Sequence, residues 1–184
     1  MTDPSILPPG LPVPVDDGAA DAVTDQSLPS VAFASTAGDR VSLRDASVRT
    51  LVVYVYPQTG VPGRPPPDGW DAIPGARGCT PQSCAFRDHA AELDRLGADV
   101  VGISSQALEE QQEFHAREHL PFPLLHDGDF VLARDLGLPT FELDGVRYYR
   151  RLTFVCRHER IVKVFYPVFP PQENAAEVAA WLRA

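Results

Sequence analysis

Apolar and polar positions along this chain switch between two periods. Residues 51–56 read Leu-Val-Val-Tyr-Val-Tyr, an unbroken run of β-branched and aromatic side chains that predicts a buried strand. Beyond residue 80 the period lengthens. Phe86, Ala90, Leu93 and Leu96 fall on one helical face, Thr80-Pro81 has the form of an N-cap followed by proline at the first helical position, and Gly97 stops the helix. Residues 99–104 predict the next strand, and 107–119 a polar helix closed by Pro121. A short strand at Leu124-Leu125, a short helix over 130–136 and a hairpin pair at 151–156 and 160–166 follow. The last helix, 173–183, turns Val178, Trp181 and Leu182 inward. Strand and helix in alternation, ending in a hairpin and a helix, predict an α/β domain of three layers around a mixed sheet.

Two stretches carry no period. The chain holds 19 prolines in 184 residues, about twice ordinary usage. Pro4, Pro8, Pro9, Pro12 and Pro14 lie in residues 1–27, which are expected to form an extended or disordered arm ahead of a domain over 28–184. The second cluster runs from Pro57 to Pro81 and includes Pro65-Pro66-Pro67 together with Gly60, Gly63, Gly69, Gly75 and Gly78. This stretch must therefore be loop. A loop longer than about 15 residues in a compact domain is usually functional or disordered.

Charge and cysteine content narrow the function. With 25 acidic against 16 basic side chains the net charge is −9, so the basic face of a nucleic-acid binder is not expected. No apolar run is long enough for a bilayer, and the first basic residue is Arg40, which leaves no charged leader region; a cytoplasmic protein is the expectation. Three cysteines are too few for a disulfide-stapled scaffold. In a reducing compartment they are buried hydrophobes or chemical groups. Cys79, Cys84 and His89 stand at i, i+5 and i+10 and share no helix face, so a zinc site is not expected.

The candidate chemistry lies in the segment Arg77-Gly-Cys79-Thr80-Pro-Gln82-Ser-Cys84-Ala-Phe-Arg87-Asp88. Cys79 stands just before the helix that Thr80 caps, where free backbone N–H groups and the positive end of the dipole stabilise a thiolate. Arg77 and Arg87 are close enough in sequence to add positive potential. A thiolate attacks peroxide oxygen to give a sulfenic acid, with which a second thiol condenses. Cys84 can be that thiol or a small core hydrophobe at one helix turn. Five helical residues separate two α-carbons by about 7.5 Å, whereas a disulfide needs about 4.4–6.8 Å. The pair can therefore bridge only if the first turn of the helix unwinds.

Gly78-Cys79-Thr80-x-x-x-Cys84-x-x-Arg87-Asp88 resembles the active-site helix of the bacterioferritin-comigratory, or Q-type, peroxiredoxins. The resemblance extends over residues 28–184: Leu28-Pro29 through Arg40-Val41-Ser42-Leu43 resembles the opening strands, Val55-Tyr56-Pro57 the strand entering the active-site loop, and Arg151-Leu152-Thr153-Phe154 the strand carrying the active-site arginine. It implies a thioredoxin-like fold, reduction of hydroperoxides without a cofactor, and recycling by thioredoxin or a similar dithiol, in a monomer or a simple dimer that acts on neither nucleic acid nor membrane. It also implies that Cys79 is the peroxidatic cysteine, Cys84 the resolving cysteine bridged to it within one chain, Arg151 the guanidinium that holds thiolate and peroxide, and Gln82 the residue orienting that arginine.

The chain departs from the family at one place. The family sets a proline, and then a threonine or serine, a few residues before the peroxidatic cysteine. Here Pro57 is 22 residues ahead of Cys79, which marks residues 60–78 as an inserted loop relative to the family, and Ala76 stands three residues before the cysteine. Thr59 and Thr80 are the candidates for the missing hydroxyl. Arg150 and Arg151 are adjacent on a strand, so only one of them can face the site. Cys156 reads as a buried thiol, Trp181 as core, and Trp70 as a lid or a loop anchor. Three function classes stand at this level: a two-cysteine peroxidase, a thiol–disulfide or sulfur-transfer oxidoreductase acting on a bulkier substrate, and a non-catalytic redox-sensing domain.

Overall fold

The computed structural model describes residues 6–184; Pro4 of the N-terminal proline cluster lies outside them. The apolar run becomes β3 (Thr50–Val55), with Leu51 to Val55 all buried. Side chains on both of its faces are apolar because the strand lies inside a seven-stranded sheet covered on both sides. Before it come β1 (Ala32–Ser35), β2 (Arg40–Ser42) and the single-turn α1 (Leu43–Ala46). After it come α2 (Cys79–Arg95), β4 (Ala98–Ser104), α3 (Leu108–Glu118), β5 (Leu124–His126) and α4 (Val131–Leu136). The chain ends with β6 (Thr140–Leu143), β7 (Val146–Tyr149), β8 (Leu152–Arg157), β9 (Arg160–Phe165) and α5 (Asn174–Arg183).

The sheet order is β2-β1-β5-β4-β3-β8-β9. β3 runs parallel to β4, and β4 to β5, while β8 is antiparallel to β3 and β9. The expected mixed sheet and three layers are thus present. One core joins Val53, Val55, Ile103 and Phe154 to Leu132 and Leu136 of α4. The other joins Val52, Tyr54, Tyr56 and Val155 to Phe86 and Leu93 of α2, Phe114 of α3, and Val178 of α5. Trp181 and Leu182 pack on that second core, as expected.

Two features of the order differ from the sequence reading. The segment ahead of Leu28 is not a free tail over its described length: Ala20 and Val23 enter the first core, and Ser27 bridges Arg160 at the edge of β9. The β6–β7 hairpin, a separate two-stranded sheet, also appears between α4 and β8. Among the described residues no helix is long and apolar enough to cross a membrane.

Candidate active site

α2 begins two residues earlier than Thr80-Pro81 suggests. Gly78 is its N-cap, at φ 103°, and the first helical bond runs from the Gln82 N–H to the Gly78 carbonyl at 3.0 Å. Both the backbone angle and the space require glycine there, because a Cβ would stand 2.3 Å from Cγ of Pro171 and 3.1 Å from Cδ2 of Leu7. Cys79 is therefore the first helical residue and Thr80 the second, not the cap. The N–H groups of both fall in the turn that has no intrahelical acceptors, and Pro81 contributes no N–H to it. The Thr80 hydroxyl is buried and has no partner among the described residues.

The helix is seated by its neighbours. The Tyr54 ring stacks on Phe86 with centroids 4.7 Å apart, and the Tyr54 hydroxyl bonds Oγ of Ser83 at 3.1 Å. Cys79 is 3% exposed, and its Sγ lies 3.7 Å from the Ala76 carbonyl. Arg151, also 3% exposed, aims Nη2 at Sγ of Cys79 at 3.2 Å. The same guanidinium donates to the carbonyls of Gly75, Ala76 and Arg77 at 3.2, 3.2 and 3.0 Å, and to Oε1 of Gln82. Gln82 in turn donates Nε2 to Oδ1 of Asn174 at 3.0 Å, an oxygen that also accepts the Thr153 hydroxyl at 2.6 Å.

Arg151 rather than its neighbour reaches the site. Arg150 binds Asp17 at 2.7 Å and the Tyr166 hydroxyl at 3.3 Å. Nor do the other two arginines of the segment reach Cys79: Arg77 pairs with Asp71 in the loop, and Arg87 with Asp88 and Glu118. The cation at the thiol is thus Arg151, brought from β8's entry, 72 residues away in sequence.

A cavity of about 60 Å³ opens at Cys79. The inserted loop supplies Val61, Arg64, Pro65–Pro67 and Trp70 to its wall, and Thr59, Thr80 and Leu7 complete it. Thr59 is held from both its N–H and its hydroxyl by Oε1 of Gln106, each at 3.0 Å. Pro57 is not part of this wall; it is buried after β3, where its carbonyl accepts the Ser104 hydroxyl at 2.9 Å. Trp70 is 4% exposed and packs on Tyr148 and Phe141 of the β6–β7 hairpin, at 5.0 and 5.8 Å between centroids.

All three cysteines are free thiols. Cys84 lies off the cavity, half-buried, and burial pushes its thiol up to about 11. Burial likewise raises the Cys156 thiol well above the ordinary range. Among the described residues no cluster of His, Cys, Asp and Glu is arranged to hold a metal ion. Asn174, Thr153 and Gln106 carry no signal in the sequence, since each takes its role from a partner far along the chain.

An acidic α/β domain with a buried cysteine at a helix N-terminus and an arginine on its sulfur defines a thiol redox protein, and comparison with known proteins agrees. The Redoxin family pattern matches residues 23–180, and the chain belongs to that family. The chloroplastic peroxiredoxin Q of Suaeda salsa is 29% identical over 182 residues, covering 98% of this chain and 77% of that one. Peroxidoxin BcpB from Mycobacterium tuberculosis superimposes with a TM-score of 0.70 at 26% identity, covering 87% of this chain and 96% of its own. For peroxiredoxin Q of Xanthomonas campestris the TM-score is 0.67 and the identity 25%, with 95% and 96% covered. Within its family the chain is a peroxiredoxin of the Q, or bacterioferritin-comigratory, type: a thiol-dependent peroxidase with the thioredoxin-like fold.

Proposed function

We propose that Cys79 is the peroxidatic cysteine and that Cys84 resolves it. The observation that carries this reading is the 3.2 Å contact from Nη2 of Arg151 to Sγ of Cys79, at the first residue of a helix and at the wall of a cavity. The nucleophile toward peroxide is a thiolate, and the Arg151 guanidinium is the cation that faces this sulfur. That sulfur attacks the nearer peroxide oxygen, the O–O bond breaks, and water or an alcohol leaves as Cys79 becomes a sulfenic acid. Two hydroxyls line the cavity in place of the family's threonine. Thr59 donates its proton to Gln106, so its oxygen is left to accept the peroxide O–H, while Thr80 is free to donate or accept.

The cavity at Cys79 has room for several water-sized molecules and so admits hydrogen peroxide, which has two heavy atoms. Cys84 then closes an intrachain disulfide, which thioredoxin or a similar dithiol reduces.

The test is rapid mixing of the reduced protein with hydrogen peroxide. A fast, concentration-dependent phase is expected in the wild type and absent from Cys79→Ser. An equal phase in Cys79→Ser would contradict the assignment.

A further inference from the structure

Cys84 is docked rather than poised. Its Sγ lies 3.5 Å from Oε2 of Glu118, the last residue of α3. Glu118 is itself fixed: Nη1 of Arg117 donates to its Oε1 at 2.6 Å, and Nη1 of Arg87 lies 3.7 Å from its Oε2. Arg87 also donates to the Glu118 backbone carbonyl at 2.9 Å, where a cation complements the negative end of α3. The second turn of α2 is thereby tied to the end of α3 through one thiol and one guanidinium. A thiol is a weak donor, but a carboxylate is the acceptor that strengthens it.

We propose that Glu118 is a positioning residue for the resolving step: it holds Cys84 as a docked thiol, and the disulfide forms only when this contact opens. The proposal rests on Cys84 being the resolving cysteine. An intact helix keeps Cys84 and Cys79 too far apart to bridge, so the bonds to α3 oppose the unwinding that resolution requires. The charged groups facing Cys84 are Arg87 and Asp88 on its own helix and Glu118 on α3. Burial and the two carboxylates keep the thiol protonated while docked, and Arg87 opposes them.

Once released, Cys84 gives its proton to solvent and its thiolate attacks the sulfenic sulfur of Cys79. The S–S bond forms as the S–O bond breaks, and the departing hydroxide takes up a proton to become water. The Cys84 sulfur is oxidised and the Cys79 sulfur reduced, so no further oxidant is needed. While the latch is shut, the sulfenic acid persists and is open to a second peroxide, which would carry it to the sulfinic acid.

The experiment follows both phases after mixing reduced protein with one equivalent of hydrogen peroxide. In Glu118→Ala the disulfide phase is expected to be roughly tenfold faster, the scale of one lost charge-assisted hydrogen bond. The first phase should stay within about twofold, and the sulfinic product at high peroxide should fall. In Glu118→Gln the pH profile of the second phase should move to lower pH, because one of the groups that raises Cys84 is gone. Arg87→Gln opens the same contact from the exposed side and should act in the same direction if Glu118→Ala folds poorly. A slower second phase in folded Glu118→Ala would make the carboxylate a proton acceptor and overturn the latch, and an unchanged one would overturn it equally. If instead Cys84→Ser leaves the wild-type second phase intact, it is the assignment of Cys84 that fails.

Discussion

Arg151 gathers the site: one planar guanidinium ties together three carbonyls at the end of the inserted loop, the Gln82 amide and the Cys79 sulfur. A lysine keeps the charge but not the fork. Arg151→Lys should therefore slow the reaction of Cys79 with peroxide by about ten- to a hundredfold, the loss of one or two charge-assisted bonds, measured in the same rapid-mixing experiment. Gln82 cannot hold Arg151 unless it is held itself. Asn174→Ala leaves the Gln82 amide and the Thr153 hydroxyl unpaired in the core and should lower stability by about 2–4 kcal/mol, read from denaturant unfolding. Cys84 adds a pH dependence. Its thiol lies above the ordinary 9.0 in the folded protein, at about 11. Its share of the stability is thus whole below pH 9 and is lost as the pH rises through 11. Amide hydrogen exchange in the second turn of α2 should accelerate over that interval. The grouping of Cys79, Gln82 and Arg151 was legible from their residue types and the motif around them, while Cys84 lies off the cavity. Asn174 was not legible, since its bond to Gln82 spans 92 residues. Thr80 was misread as the cap because its sequence form is ideal, whereas the cap falls to Gly78, where Leu7 and Pro171 leave room for no side chain.

At the scale of elements, the inserted loop and the β6–β7 hairpin form one unit. Trp70 wedges between the loop and the hairpin's Phe141 and Tyr148, and the loop's prolines line the cavity beyond it. Prolines shrink the freedom of the unfolded chain, so a loop this rich in them is ordered at small entropic cost. Trp70→Ala should release the loop and raise the rate with a bulky organic hydroperoxide relative to hydrogen peroxide; an unchanged ratio would make the loop a passive insertion. The strands and helices around the sheet were readable because burial on one or two faces imposes a period on the sequence. The hairpin was passed over for the opposite reason: its strands are mostly half-buried or exposed, so they carry little apolar alternation. Its one clear signal was Asp144-Gly145, whose φ values of 50° and 75° suit a tight two-residue turn.

For the whole molecule, the N-terminal arm is a strap. Ala20 and Val23 anchor it in the core, Asp17 binds Arg150 and Tyr166, Pro14 lies against Gly75, and Leu7 reaches Gly78 at the start of α2. The arm thus lies against the first turn of α2, the turn that unwinds in the proposed resolving step. Its composition spoke only of proline, and nothing local in it marks the distant residues on which it settles. Removing residues 1–14 should leave the sheet intact by circular dichroism while accelerating disulfide formation and exposing Cys79 to alkylation. Strap, loop, arginine and latch all serve one claim, that Cys79 is the atom peroxide meets first and Cys84 its successor. The most direct test is mass spectrometry of Cys84→Ser after substoichiometric hydrogen peroxide in the presence of a sulfenic-acid trap. The label is expected on Cys79, with Cys156 untouched; a label on Cys156, or none on Cys79, would contradict the account.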